Sequence, residues 1–318
     1  MSSKQLPLKS SLQWTKEEAF HYCQKLATTH YENFTVGSIL LSTQKRRHVY
    51  TIYSYCRWVD DLGDETYYPM SSDKIWHWLM NTLRKEPKNE KEKRLLLLER
   101  WEEELIQCYD GHPTHPVLVA LQDTVRTFDI PKAPFLKLIE ANRMDQYAHS
   151  YATFQDLLNY CEHSANPVGH LVLYLFGYRD QKRQELSDAT CTALQLTNFL
   201  QDIARDHKRG RIYIPIEDIE TFGYSTNELA QGVVNDNFRA LMSFQIKRTR
   251  ELFQQGFDLL KTLKGFQKVE VALFALGGLE VLKTIENKRY DVLTQRPYLS
   301  KRQKASIFLR SLFRNFVM

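Results

Sequence analysis

The stretch Asn198-Phe199-Leu200-Gln201-Asp202-Ile203-Ala204-Arg205-Asp206-His207-Lys208-Arg209-Gly210-Arg211-Ile212-Tyr213-Ile214-Pro215 puts two carboxylates four residues apart and follows them with a run of bases. On an α-helix, residues i and i+4 project to one side, so Asp202 and Asp206 stack, with Asn198 one turn before them. Gly210 and Pro215 bracket the expected helix end and a short extended stretch, from which Arg211 and Tyr213 fold back toward the same carboxylates. A second segment, Asp60-Asp61-x-x-Asp64-Glu65, repeats the device. There Asp60 stacks on Asp64, and Asp61 on Glu65 about 100° further round the helix.

Like charges in one turn repel, which a solvated face tolerates and a partly closed cavity tolerates only with a cation present. Either acidic run alone reads equally as solvated surface; the pair, each flanked by arginines, points to metal. Mg²⁺ prefers oxygen ligands, keeps several waters, and is commonly held through one or two carboxylates plus phosphate oxygens of a substrate. Asp60, Asp61, Asp64, Asp202 and Asp206 are the candidate metal ligands. Arg57, three residues before Asp60, joins Arg205 and Arg211 as candidate diphosphate ligands, because the planar guanidinium fork matches phosphate oxygens. Together the motifs describe a metal clamp for a diphosphate, whose departing charge the cations would stabilise. The carbocation left behind requires a dry cavity with aromatic walls; 17 Phe, 17 Tyr and 5 Trp supply material for one, as they would for an ordinary core.

Apolar residues recur with a helical period over 15–30, 43–67, 71–84, 89–108, 115–127, 133–148, 154–162, 165–177, 187–207, 237–262 and 265–288, and few segments alternate as strands do. An all-α bundle is expected. The 318 residues contain 12 Gly and 10 Pro, with no linker-like or repetitive tract, which favours one domain over residues 1–318. Five cysteines without CxxC spacing suit a reducing compartment. The N-terminal segment lacks a signal-like apolar run, and no stretch is long and apolar enough to span a bilayer. A cytoplasmic location is expected.

The net charge of +5 arises from 43 basic and 38 acidic residues that are interspersed, so no nucleic-acid partner is expected. The C-terminal stretch Lys301-Arg302-Gln303-Lys304, followed by Ile307-Phe308-Leu309 and Leu312-Phe313, reads either as a helix packed on its own domain or as a basic amphipathic contact with the inner face of the cytoplasmic membrane. His112 and His115 have no companion ligands at zinc spacing, and no GxGxxG or GxxxxGK occurs.

The pattern Tyr53-x-Tyr55-x-Arg57-x-x-Asp60-Asp61-x-x-Asp64-Glu65, with Asn198-x-x-x-Asp202-x-x-x-Asp206 and Arg209-Gly210-Arg211-x-Tyr213-x-Pro215, resembles the squalene/phytoene synthase family. The resemblance implies the all-α isoprenoid-synthase helical bundle around a central cavity, as a single trans-isoprenyl diphosphate synthase-like domain. It also implies an isoprenoid diphosphate substrate and Mg²⁺ dependence. Two further stretches, His30-Tyr31-Glu32-Asn33-Phe34-Thr35-Val36-Gly37-Ser38 and Tyr160-Cys161-x-x-Ser164-Ala165-Asn166-Pro167-Val168-Gly169, resemble the bacterial hydroxysqualene synthases of hopanoid biosynthesis. That subfamily implies ionisation of presqualene diphosphate and capture of the cation by water without NADPH. Functional coupling to a presqualene diphosphate synthase and to a flavin-dependent squalene-forming enzyme would follow. Asn166 is then expected to hold the attacking water, Tyr53, Tyr160 and Tyr213 to face the leaving group or the cation, and Ser38 and Asn198 to join the diphosphate rim. The alternative is head-to-head condensation of two farnesyl diphosphates to presqualene diphosphate or squalene with the same clamp.

Overall fold

Helices form where the sequence repeats apolar residues every three to four positions, in a computed structural model that describes residues 14–29, 43–63, 74–83 and 85–313. The chain divides into two compact units, Met1–Gln146 and Tyr147–Met318. The described part of the first holds α1 (Lys16–Thr29), α2 (Thr43–Gly63), α3 (Lys74–Asn81), α4 (Glu90–Asp110), α5 (Pro116–Phe128) and α6 (Ala133–Met144). Helix α2 is its centre, packed on α1, α4, α5 and α6. Ile52, Tyr55, Val59 and Leu62 recur along its buried face. Trp58 stacks on Trp101 of α4 with ring centroids 5.6 Å apart, and the Tyr55 hydroxyl donates to the Phe135 carbonyl at 3.1 Å. Helix α4 starts where the Asn89 side chain accepts from the Glu92 N–H at 2.9 Å. It stops at Gly111, whose φ of 106° closes the last turn in the left-handed region that glycine favours.

The second unit holds α7 (Phe154–Ser164), α8 (Asn166–Leu175), α9 (Gln181–Lys208), α10 (Ile216–Thr221), α11 (Thr226–Ala230), α12 (Asp236–Gly256), α13 (Asp258–Thr262), α14 (Gly265–Asn287) and α15 (Lys301–Phe313). The 28-residue α9 is the axis on which α7, α8, α12, α13 and α14 pack. Phe238, Leu241, Met242, Ile246 and Phe253 of α12 meet Ala193, Leu200 and Ile203 of α9 in the main core of this unit. The two helices approach closely at Gly256, where a Cβ would fall 2.1 Å from Thr190 Oγ1. The helical period expected to run unbroken over 237–262 ends there and resumes one residue later as α13. Helices α10 and α11, six and five residues long, are too short to register as a period.

The chain is all-α: among the described residues there is no sheet, only one isolated parallel bridge between Ser150 and Ile212. Helix α15 packs against α14, with Ile307 and Ser311 buried and the Gln303 amide donating to Glu280 at 3.2 Å. None of the described helices is long and apolar enough to cross a membrane. Glu270 of α14 is 6% exposed, and its Oε2 has no hydrogen-bond partner. Burial raises its carboxyl to about 7.

Candidate active site

The last two turns of α2 carry the first acidic motif. Arg57 reaches forward one turn and grips Asp61 with two parallel bonds, Nη2 to Oδ1 at 2.7 Å and Nε to Oδ2 at 3.0 Å. The Asp61 side chain is only 6% exposed, so this pair is part of the helix's packing. Asp60, one residue earlier, presents its carboxylate to solvent. The protein gathered around it nonetheless raises its carboxyl to about 7. An Asn142 hydrogen bond opposes the rise, Asp61 adds to it, and Arg57 opposes it.

Asn142 of α6 donates to Asp60 Oδ1 at 3.4 Å and to the Leu138 carbonyl at 3.1 Å. It fits there because Gly63 has no side chain: a Cβ at Gly63 would lie 2.3 Å from Asn142 Oδ1. Gln146 completes the support, donating to the Gly63 carbonyl at 2.8 Å and accepting from Arg94 Nε at 2.6 Å. Tyr53 lies two turns before Asp60 on α2 and is partly buried. Ser38, Asp64 and Glu65 lie outside the described residues.

The second motif lies on α9. Asn198, Asp202 and Asp206 follow one another at single-turn spacing, with Asn198 and Arg205 exposed and both aspartates partly buried. Asp202 is held by Arg296, whose Nη2 donates to Oδ2 at 2.8 Å and whose Nε reaches Oδ1. The Arg296 guanidinium also lies 4.9 Å from the centre of the Tyr298 ring. The Asp206 carboxyl is raised to about 6, first by burial and then by Asp202, while Arg209, Arg205 and Arg211 oppose the rise.

As the sequence leads one to expect, the chain reverses after α9. Gly210 adopts a φ of 75°, and the Ile212 N–H then donates to the His149 carbonyl at 2.8 Å. That pairing lays Tyr213 flat on Phe199, with centroids 3.8 Å apart, and beside Tyr151 and Tyr160. Arg211 Nη1 is 3.5 Å from the Tyr213 hydroxyl. Arg211, Tyr213, Asp206 and Phe199 line one small crevice.

Among the described residues no group of three or more acidic, histidine or cysteine side chains forms a ready-made metal cage. Each motif instead supplies two aspartates, an oxygen-only set of the kind Mg²⁺ accepts when substrate and water complete its shell. The upward shifts at Asp60 and Asp206 fit this, since each carboxylate is crowded by protein and by an acidic neighbour whose repulsion a divalent cation would relieve. Sequence reasoning missed Arg296, which lies 94 residues from Asp202 with no local pattern to link them. It also missed Asn142, which lies 82 residues from Asp60.

Asn166, expected to hold an attacking water, is bonded within the fold. Its Oδ1 accepts from Thr192 Oγ1 at 2.9 Å in a site where Asn166 is 7% exposed. The side chain therefore ties the start of α8 to α9.

A model described as squalene/phytoene synthase matches residues 27–303. The phytoene synthase of Arthrospira platensis is 32% identical over 298 residues, covering 90% of this chain and 89% of that protein. The 15-cis-phytoene synthase of Synechococcus elongatus is 30% identical over 294 residues, 89% of this chain and 88% of that one. Among solved structures, squalene synthase HpnC from Alicyclobacillus acidocaldarius is 39% identical with a TM-score of 0.76, covering 87% of this chain and 96% of that one. A dehydrosqualene synthase at 24% identity superimposes with a TM-score of 0.79 and attests to the fold alone.

These names overturn the expectation of a hydroxysqualene synthase that captures its cation with water: the matching proteins are phytoene synthases and a squalene synthase. The expected coupling to a presqualene diphosphate synthase and a flavin enzyme falls with it. What stands is broader and covers most of the chain: it belongs to the squalene/phytoene synthase family.

Proposed function

We propose that this protein catalyses the head-to-head condensation of two prenyl diphosphates, releasing diphosphate and forming first a cyclopropylcarbinyl diphosphate. The observation that carries the reading is the face of α9, where Asp202 and Asp206 stand one turn apart among arginines 205, 209, 211 and 296. Names borne by relatives of 30–32% identity over about nine-tenths of the chain support it.

Mg²⁺, held by Asp60 and Asp61 with Asp64, and by Asp202 and Asp206, would supply Lewis-acid stabilisation of the departing diphosphate. The arginines act as its second set of hands. Arg296 neutralises Asp202 and, with Arg205 and Arg211, would offer guanidinium forks to diphosphate oxygens, while Arg57 stays on Asp61 and steadies the first motif. Asn198 extends the polar rim of α9. The stacked rings of Tyr151, Tyr160, Phe199 and Tyr213 offer faces that stabilise an allylic cation and exclude water. Tyr53 and Ser38 are assigned to the diphosphate end on the strength of their motifs. Condensation to the cyclopropyl intermediate is redox-neutral and uses no reduced nicotinamide. The setting proposed is the cytoplasm, with peripheral contact at the inner membrane face through the basic C-terminal helix.

The test is incubation of the purified chain with Mg²⁺ and either farnesyl or geranylgeranyl diphosphate, followed by mass spectrometry of the extract. A C30 or C40 product, or its cyclopropyl diphosphate precursor, supports the reading and fixes the chain length. Recovery of intact substrate, or of monomeric prenyl alcohol alone, would overturn it.

A further inference from the structure

Apart from the acidic motif of the second unit, α12, α14 and α15 enclose a surface cavity of about 280 Å³. Phe257, Leu276 and Leu279 make its apolar part, and three cations stand among them: Arg250 from α12, Lys283 from α14 and Arg310 from α15. Carboxylates answer two of these. Glu286 pairs with Arg250 at 2.6 Å, and Glu280 lies 3.7 Å from Arg310 while also accepting from Gln303 at 3.2 Å. Lys283 is exposed and has no acidic partner within ion-pair distance among the described residues.

One uncompensated cation above an apolar floor selects a ligand with a single negative charge and a hydrocarbon tail, which describes a phosphodiester lipid better than a free diphosphate. The size narrows the choice further. A volume of 280 Å³ is just below the roughly 300–1,000 Å³ of small-molecule sites. It therefore holds a headgroup and the start of a chain, with the remainder left in a bilayer. Arg302, Leu309 and Arg310 share one face of α15 by their i, i+7, i+8 spacing. Leu309 on that face is 53% exposed, an apolar side chain flanked by cations where a membrane surface would meet it.

We propose that this cavity is an anionic-phospholipid site that docks the second unit on a negatively charged bilayer. The inference goes beyond the condensation reading and does not depend on it. The full chain is sedimented with vesicles of phosphatidylcholine, alone or with phosphatidylglycerol added. Wild type is expected to follow the anionic vesicles only, and Lys283→Glu with Arg310→Gln to lower its partition by about tenfold. Lys182→Glu with Lys264→Glu, which alters exposed lysines elsewhere on the unit, should have a much smaller effect. Circular dichroism and unchanged thermal unfolding verify that the variants fold.

Equal binding to neutral vesicles, or an equal loss in the control variant, would overturn the proposal. In a second arm, Lys283 is labelled with an amine-reactive reagent in the presence of dihexanoyl phosphatidylglycerol or inorganic phosphate. Protection by the short-chain lipid alone supports a lipid site; equal protection by phosphate, or protection by neither, contradicts it.

Discussion

On α2 the arginine that balances the acidic motif comes from one turn away, Arg57 against Asp61, whereas on α9 it comes from Arg296, 94 residues downstream in the segment before α15. The first pair is embedded in its helix, its carboxylate 6% exposed. The second is looser, with side chains 34% and 15% exposed on arginine and aspartate. Both motifs keep a carboxyl raised well above the usual aspartate range, Asp60 in one and Asp206 in the other. Thus the same chemical problem, concentrated negative charge, has a built-in answer on α2 and an exchangeable one on α9. The difference separates charge that holds the fold from charge kept available for a ligand.

The largest expected effect tests what the motifs share. Asp60→Asn and Asp202→Asn should each lower Mg²⁺-dependent condensation by at least about 100-fold, measured as product formed per enzyme, because each removes a charged oxygen that no neighbour replaces. Retention of near-normal turnover by either would remove that motif from the machinery.

The next two arginine variants divide the motifs. Arg57→Gln leaves Asp61 charged and almost buried, so thermal or urea unfolding should show a loss of about 2 kcal/mol. Arg296→Gln should cost less than about 1 kcal/mol in the same assay, as expected of a partly exposed pair, while raising the KM for prenyl diphosphate. Equal stability losses would erase the distinction between a structural and an exchangeable arginine.

The support under Asp60 can be probed without altering any charge. Gly63→Ala sets a methyl where Asn142 Oδ1 now lies; overpacking of this kind costs about 1–2 kcal/mol. Activity should fall with it, because Asn142 must leave Asp60. A smaller substitution effect, and one that depends on pH, is expected at Glu270, a carboxylate with no arginine.

Its folded-state value near 7 exceeds the ordinary 4.5, so the folded chain keeps a proton that the unfolded chain releases. Wild-type stability should therefore decline as pH rises from 4.5 through 7, and Glu270→Gln should lack that decline. At pH 8 the variant should be more stable than wild type by about 1 kcal/mol, the order of one relieved buried polar group. Below pH 4.5 the two should unfold alike.

How much of this could be read from residues alone depended on distance along the chain. The helical periods gave the all-α class, and i, i+4 spacing gave both aspartate pairs, because those relations are complete within one or two turns. The reversal at Gly210 was legible for the same reason; that it lays Tyr213 on Phe199 was not. Arg296 on Asp202 and Asn142 on Asp60 were not legible, since a bond spanning 94 or 82 residues has no sequence signature. Asn166 was opaque for a related reason: it was read only as a water site, whereas Thr192, 26 residues away, is its partner. A substitution seen only along the chain does not reveal which side chain fills the space opposite.

The most direct test of the account is binding of farnesyl thiolodiphosphate, an analogue that does not ionise, titrated calorimetrically with and without Mg²⁺ into wild type, Asp60→Asn and Asp202→Asn. The account predicts that Mg²⁺ tightens binding to wild type and that each substitution abolishes most of that gain. Mg²⁺-independent binding to wild type, or undiminished tightening in either variant, would contradict the assignment of both motifs to metal and diphosphate.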